Sequence, residues 1–268
     1  MINKRNSINM RERERERERL IIWALYDDAE SSYKNSIKKY FPDMDLEVHS
    51  VGINNISFKE KSKYFYHRID LSLNNFNLIK ELKNLPHPDV ILASPPCESW
   101  SIADCKGRMT RKIDSEGNWF IQNKNYYEKY NEKCNPVKRR KFLQKERSRL
   151  IGEATVGATL EIIEFFDPAI WIIENPKTSL TWKFQEYHWN FKGIMNSTYY
   201  SAYDENFSLK PTIFKSNIKL NLINKSVKGN RGHMAFGSYS KRSSIPEKLI
   251  KDIMNSVFDY LKVEHGTK

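Results

Sequence analysis

Cys97 and Glu174 are the two side chains whose settings invite chemistry, because each stands where an apolar run stops. The first run, residues 89–93, leads into Ala93-Ser94-Pro95-Pro96-Cys97-Glu98-Ser99-Trp100-Ser101. Two prolines cannot extend a ladder, since proline removes a donor and fixes φ. The chain must turn there and present the cysteine outward, as a nucleophile is displayed. The second run, residues 169–173, ends in Glu174-Asn175-Pro176. A thiol supplies a covalent nucleophile once deprotonated. A carboxylic acid kept partly protonated donates to a ring nitrogen and polarises it. Together they suit addition to the six-position of a pyrimidine, with Cys97 on C6 and Glu174 on N3, which makes C5 nucleophilic towards an electrophilic methyl group.

The pair needs elements that bring it together. Residues 20–26, 46–53, 64–69, 89–93 and 169–173 read as strands, and residues 28–40, 71–85, 154–166, 180–189 and 246–263 as helices. Alternation of this kind predicts βαβ units and a mostly parallel sheet with helices on both faces. In such a sheet both strand ends lie on one edge, where open α/β sheets take their ligands. Residues 196–202 and 211–214 read as a late antiparallel hairpin, and residues 219–232 as a polar linker.

The chain has 268 residues and a formal charge of +12, which favours a polyanion as partner, most simply nucleic acid. Residues 103–148 show no clear periodicity and interleave cations with Trp119, Phe120, Tyr126, Tyr127 and Tyr130, a pattern that suits phosphate contacts with stacking on bases. Three cysteines without a secretory signal or a membrane-length apolar run predict a reducing cytoplasm. No paired C-x-x-C spacing joins Cys97, Cys105 and Cys134, so no metal site is expected. Residues 1–19 read as a flexible segment in which Arg11 to Arg19 alternate Arg and Glu. A GA dinucleotide repeat read in triplets encodes that alternation, so the tract predicts on–off expression by replication slippage, with Met10 as an alternative start.

At these residues the chain resembles the DNA (cytosine-5)-methyltransferases, most of all the compact phage and plasmid type. Pro96-Cys97 followed by Trp100-Ser101 is similar to that family's nucleophile motif, and Glu174-Asn175-Pro176 to its base-binding motif. Lys210-Pro211-Thr212 with Asn217, and residues 242–246, resemble further landmarks, in family order over residues 20–262. The resemblance implies a Rossmann-like class I methyltransferase fold, S-adenosylmethionine as donor, double-stranded DNA as substrate and a cytosine rotated out of the helix. It places Pro96, Cys97, Glu174 and Asn175 in catalysis. It places Tyr26, Asp28, Glu30, Ser31, Asn54, Asp70, Ser94 and Pro95 around the donor. A cognate restriction enzyme is a candidate partner; oligomeric state is left open.

The chain departs from the family in two places. Asp28 and Glu30 stand where the first motif has glycines, so the turn lacks the residues that permit positive φ and would offer carboxylates to the donor's ammonium or ribose. The space between Asn217 and Arg242 is short, so residues 20–268 read as one catalytic domain with a reduced recognition region, 218–240. Target contacts are expected from Arg108, Arg111, Lys138, Arg139, Arg140, Arg147, Arg149, Lys210, Arg231 and Arg242, with His233 and Tyr239 as candidates for base reading. Two rival readings are an exocyclic amino (N4-cytosine) methyltransferase, for which the aromatic expected after Ser94-Pro95-Pro96 is missing, and a DNA-binding relative that has lost catalysis.

Overall fold

The computed structural model describes residues 19–27, 31–56, 62–101, 110–233 and 239–266. Asp28, Glu30, Cys105 and Arg108, together with the Arg/Glu tract up to residue 18, lie outside the described residues.

Seven strands form one sheet: β1 (Leu20–Leu25), β2 (Leu46–Gly52), β3 (Tyr64–Arg68), β4 (Val90–Ala93), β7 (Ile170–Pro176), β8 (Ile194–Tyr199) and β9 (Pro211–Ser216). Their order is β3-β2-β1-β4-β7-β9-β8, and β9 alone runs antiparallel to its neighbours. This is a Rossmann-like, doubly wound arrangement. Strand order reverses between β1 and β4, which opens a crevice at their carboxyl ends.

Both sheet faces are covered, and the strands are apolar on both sides accordingly. Ile22, Ala24, Leu92 and Ile172 pack under helices α1 (Ser32–Tyr40) and α5 (Glu247–Gly266). Trp23, Leu25, Ile91 and Ile173 pack under the short α2 (Leu78–Leu82) and the long α4 (Phe142–Phe166). Period-2 alternation therefore puts Glu174 on the same face as Ile170 and Ile172.

Several expectations are corrected. The helix expected over residues 71–85 shrinks to α2, because Asn75 turns the chain: its Nδ2 donates to the Asp70 carbonyl and its Oδ1 accepts from the Asn77 amide. The stretch without clear periodicity, 103–148, carries a hairpin of β5 (Arg111–Ile113) and β6 (Trp119–Ile121), then α3 (Lys124–Glu132), capped by the Asn123 side chain. α4 starts at Phe142, twelve residues before the expected start at Ala154. Glu174 stands inside β7, not beyond it, because residues 174–176 still pair with β9 after β4 has turned away.

Candidate active site

The turn after β4 is tied at four carbonyls. Asn175 Nδ2 donates to the Pro95 carbonyl at 3.0 Å. The Cys97 carbonyl accepts from the Trp100 and Ser101 amides, closing a helical turn around the thiol. Arg111 Nη1 donates to the Ser99 carbonyl at 2.9 Å. The Leu180 amide donates to the Trp100 carbonyl at 3.1 Å. Trp100 is fully buried, with the Arg111 guanidinium 3.6 Å above its ring and Phe184 at 4.9 Å. Gly152 of α4 makes the close approach possible, since a Cβ there would stand 2.2 Å from Ser99 Oγ. Pro96 is half-buried in the same turn.

Glu174 reaches the same place from the neighbouring strand. Ala93 of β4 is level with Ile173 of β7, so the carboxylate follows one residue beyond the last shared pair. Tyr200 donates its hydroxyl to Glu174 Oε1 at 3.0 Å. Lys210 Nζ lies 4.0 Å from the same oxygen and 4.3 Å from the centre of the Tyr200 ring. Cys97 is half-buried. Burial pushes its thiol up to about 11; the Lys210 ammonium opposes the rise, and the Glu174 and Glu98 carboxylates add to it. Thiol, carboxylate and ammonium therefore act on one another across one rim. Lys210, expected on the DNA-binding surface, is a member of this cluster. Asn175 serves the turn through its amide, while its buried Oδ1 has no hydrogen-bond partner among the described residues.

No protein-family model matches the chain, and no curated protein matches it. Among solved structures it is similar to a Plasmodium falciparum protein described as a ribosomal RNA methyltransferase, at 10% identity and a TM-score of 0.38, over 85% of this chain and 99% of the other. Strand order, not this likeness, identifies the fold.

Beside the cluster, at the carboxyl ends of β1 and β4, a small cradle of about 40 Å³ is walled by Tyr26, Asp27, Ser31, Tyr33, Ser94 and Ser244, among others. Tyr26 and Ser31 both hold left-handed backbone, φ 64° and 49°, so the turn is made without glycine at either place. Asp27, which sequence reading passed over, organises it. Its carboxylate accepts from the Tyr33 and Lys34 amides at the start of α1 and from Ser50 Oγ. Ser94 Oγ and the Tyr33 hydroxyl are 2.7 Å apart. Tyr26 is spoken for at its tip, where the hydroxyl donates to the Leu71 or Thr155 carbonyl. Asp70, at the end of β3, is exposed and acts electrostatically on Tyr26. The Asn54 carbonyl accepts from Tyr66, and Pro95 is buried. This wall of hydroxyls suits the polar end of a small ligand. A larger groove of about 820 Å³ shares Ser32, Ser244 and Ile245 with the cradle but includes neither Cys97 nor Glu174.

The cations expected to face DNA divide into two groups. Lys138, Arg139, Arg147 and Arg231 are exposed, and Arg140 and Arg242 are half-buried. Arg111 and Arg149 are buried and turned inward, a correction to the surface role expected of them. Both bind Glu153, through Arg111 Nε at 2.8 Å and Arg149 Nη1 at 2.7 Å, and Arg149 also binds Glu146. A buried guanidinium needs such partners, and these consume its donors. Asn217, a landmark of the resemblance, sits at the amino end of β7, where it bonds the Trp171 amide and the Ala169 carbonyl.

Proposed function

We propose that the chain is a DNA cytosine-5 methyltransferase using S-adenosylmethionine, serving to protect DNA against restriction. The observation that carries this reading is that Cys97 and Glu174 stand at the ends of the adjacent parallel strands β4 and β7, where Lys210 acts on both. The donor, when bound, supplies an electrophilic methyl group.

The residues divide the work as follows. Cys97 Sγ, once deprotonated, forms a bond to C6 of an extruded cytosine. Glu174 holds N3 and supplies the proton that keeps the added electron pair from building up as charge on the ring. The electron pair then reaches C5, which takes the methyl group and leaves the donor as a neutral thioether; loss of the C5 proton to water, breakage of the C6–S bond and return of the N3 proton to Glu174 restore the thiolate, the acid and an aromatic base. The tied turn fixes where the sulfur stands, so the approach depends on the base being delivered to it. Lys210 offers a cation to the thiolate and to the polarised base. The exposed cations of residues 138–147 supply phosphate contacts.

The test is a covalent trap. Duplexes containing 5-fluorocytosine, incubated with protein and donor, should give a protein–DNA adduct that survives denaturation, and Cys97→Ser should give none. Nucleoside mass spectrometry of DNA from an expressing host should show 5-methylcytosine. Finding N4-methylcytosine, with Cys97→Ser retaining it, would replace this reading with exocyclic amino methylation.

A further inference from the structure

Tyr200 belongs to no motif singled out in the sequence, yet it touches both charged members of the cluster. It begins the helical turn Tyr200–Ala202 after β8 and is fully buried. Its hydroxyl donates to Glu174 Oε1 at 3.0 Å, which leaves the other carboxylate oxygen free of it. Burial, and after it the charge of Glu174, raises the phenol well above its ordinary value, so the group stays a donor. The face of its ring carries the Lys210 ammonium at 4.3 Å.

Lys210 is held there at a cost. Its φ is 25°, a left-handed backbone that side chains with a Cβ avoid, and Pro211 follows it, which restricts the preceding residue further. Such conformations persist where the surroundings over-determine them. Here the Lys210 carbonyl accepts from Thr212 Oγ1 and from the Tyr200 amide, and the Pro211 carbonyl from the Lys177 amide. Tyr200 thus grips Lys210 twice, by its own amide and by its ring. An unstrained backbone would need no such grip, and the strain has its effect in aiming one ammonium at one carboxylate.

We propose that Tyr200 is a positioning residue for both reacting groups: its hydroxyl pins one oxygen of Glu174, and its ring seats the Lys210 ammonium on the rim shared with Cys97. The proposal rests on the function above for its effect on turnover, and on geometry alone for its effect on the thiol. Among the described residues, the charged groups acting on Cys97 are Glu98 from its own turn, Glu174 from β7 and Lys210 from the approach to β9. Of these three charges Lys210 alone favours the thiolate, beside a backbone hydrogen bond in the turn, so moving it makes the sulfur harder to ionise.

Tyr200→Phe and Tyr200→Leu separate the two grips, with Lys210→Met as reference. Two readouts are taken on the full chain: methyl transfer, and the pH dependence of Cys97 alkylation by iodoacetamide, which needs neither donor nor DNA. Tyr200→Phe is expected to lower kcat about 10-fold or more with KM little changed, to shift the pH–kcat profile, and to alkylate like the parent. Lys210→Met and Tyr200→Leu are both expected to move the alkylation midpoint upward by about one pH unit. Turnover and pH profile unchanged in Tyr200→Phe, or a midpoint unmoved in Lys210→Met, would overturn the proposal. If Tyr200→Leu does not fold, those two variants decide. A parent protein that alkylates as expected yet methylates nothing refutes the proposed function and leaves the seating of Lys210 standing.

Discussion

Gly152 shows how much of the site depends on one missing methyl group. It lies on α4 against the nucleophile turn, and an added Cβ would stand 2.2 Å from Ser99 Oγ and 2.8 Å from Trp100 Nε1. Neither neighbour has room to retreat: Ser99 is buried under Arg111, and Trp100 is fully enclosed. Gly152→Ala is therefore expected to destabilise the protein by about 1–3 kcal/mol and to slow the chemistry, since relief must come from the turn that carries Cys97. Thermal unfolding together with adduct formation checks both parts; an unchanged melting temperature with full trapping would mean the turn is softer than its four tethers imply. Glu174→Gln keeps shape and removes the acid, so it is expected to lose about 10²–10⁴-fold in rate while still folding.

At the level of elements, the insert between β4 and β7 works in two registers. Its inward cations are structural. Replacing Arg111 with Ala removes the bonds to Glu153 and the Ser99 carbonyl and the cover over Trp100, and is expected to cost about 3–5 kcal/mol. Its outward cations are not. A Lys138→Ala/Arg139→Ala/Arg147→Ala variant is expected to melt like the parent, yet to bind duplex DNA more weakly, with the slope of log affinity against log salt reduced by about 2–3. Anisotropy titrations at several salt concentrations measure this, and a parallel slope would exclude phosphate contact. The same division explains what the sequence allowed to be read. The strands were legible from Val90-Ile-Leu-Ala93 and Ile170-Trp-Ile-Ile173, because apolar runs closed by proline have few other readings. The start of α4 was not legible: Lys145 and Arg149 are buried, so its first turns present cations where a core-facing helix normally shows aliphatic residues. Cys97 and Glu174 were found by their place at strand ends. Tyr200 and Asp27 were not, because a tyrosine or an aspartate in a loop reads alike whether it is solvated or holds its neighbours.

Across the whole molecule, the titrations of a buried carboxyl and a half-buried imidazole oppose each other. Asp27 is raised to about 7 by burial, so its protonated form is favoured by folding; that stability is present below about 4 and is lost as pH climbs through 7. The stacked pair His49 and His67, 2.9 Å apart between ring nitrogens, behaves in the reverse sense. Burial, and then the charge of its partner, lowers His67 to about 4, so stability is lost as pH falls from about 6.5 towards 4. The parent is expected to melt at nearly constant temperature over that range. Asp27→Asn should expose the loss on acidification and His67→Phe the loss towards neutrality; identical profiles in both variants would show that these groups do not set the slope. The insert also holds a large part of the protein's positive charge, with twelve Lys and Arg against five Asp and Glu in residues 110–151. Arg111 joins this charged limb directly to the backbone that carries the sulfur. Anything that grips the limb therefore pulls on the reactive turn through a guanidinium that lies over an indole. Engagement of a polyanion and the posture of the nucleophile become one mechanical event, and the emission of Trp100 is its natural gauge.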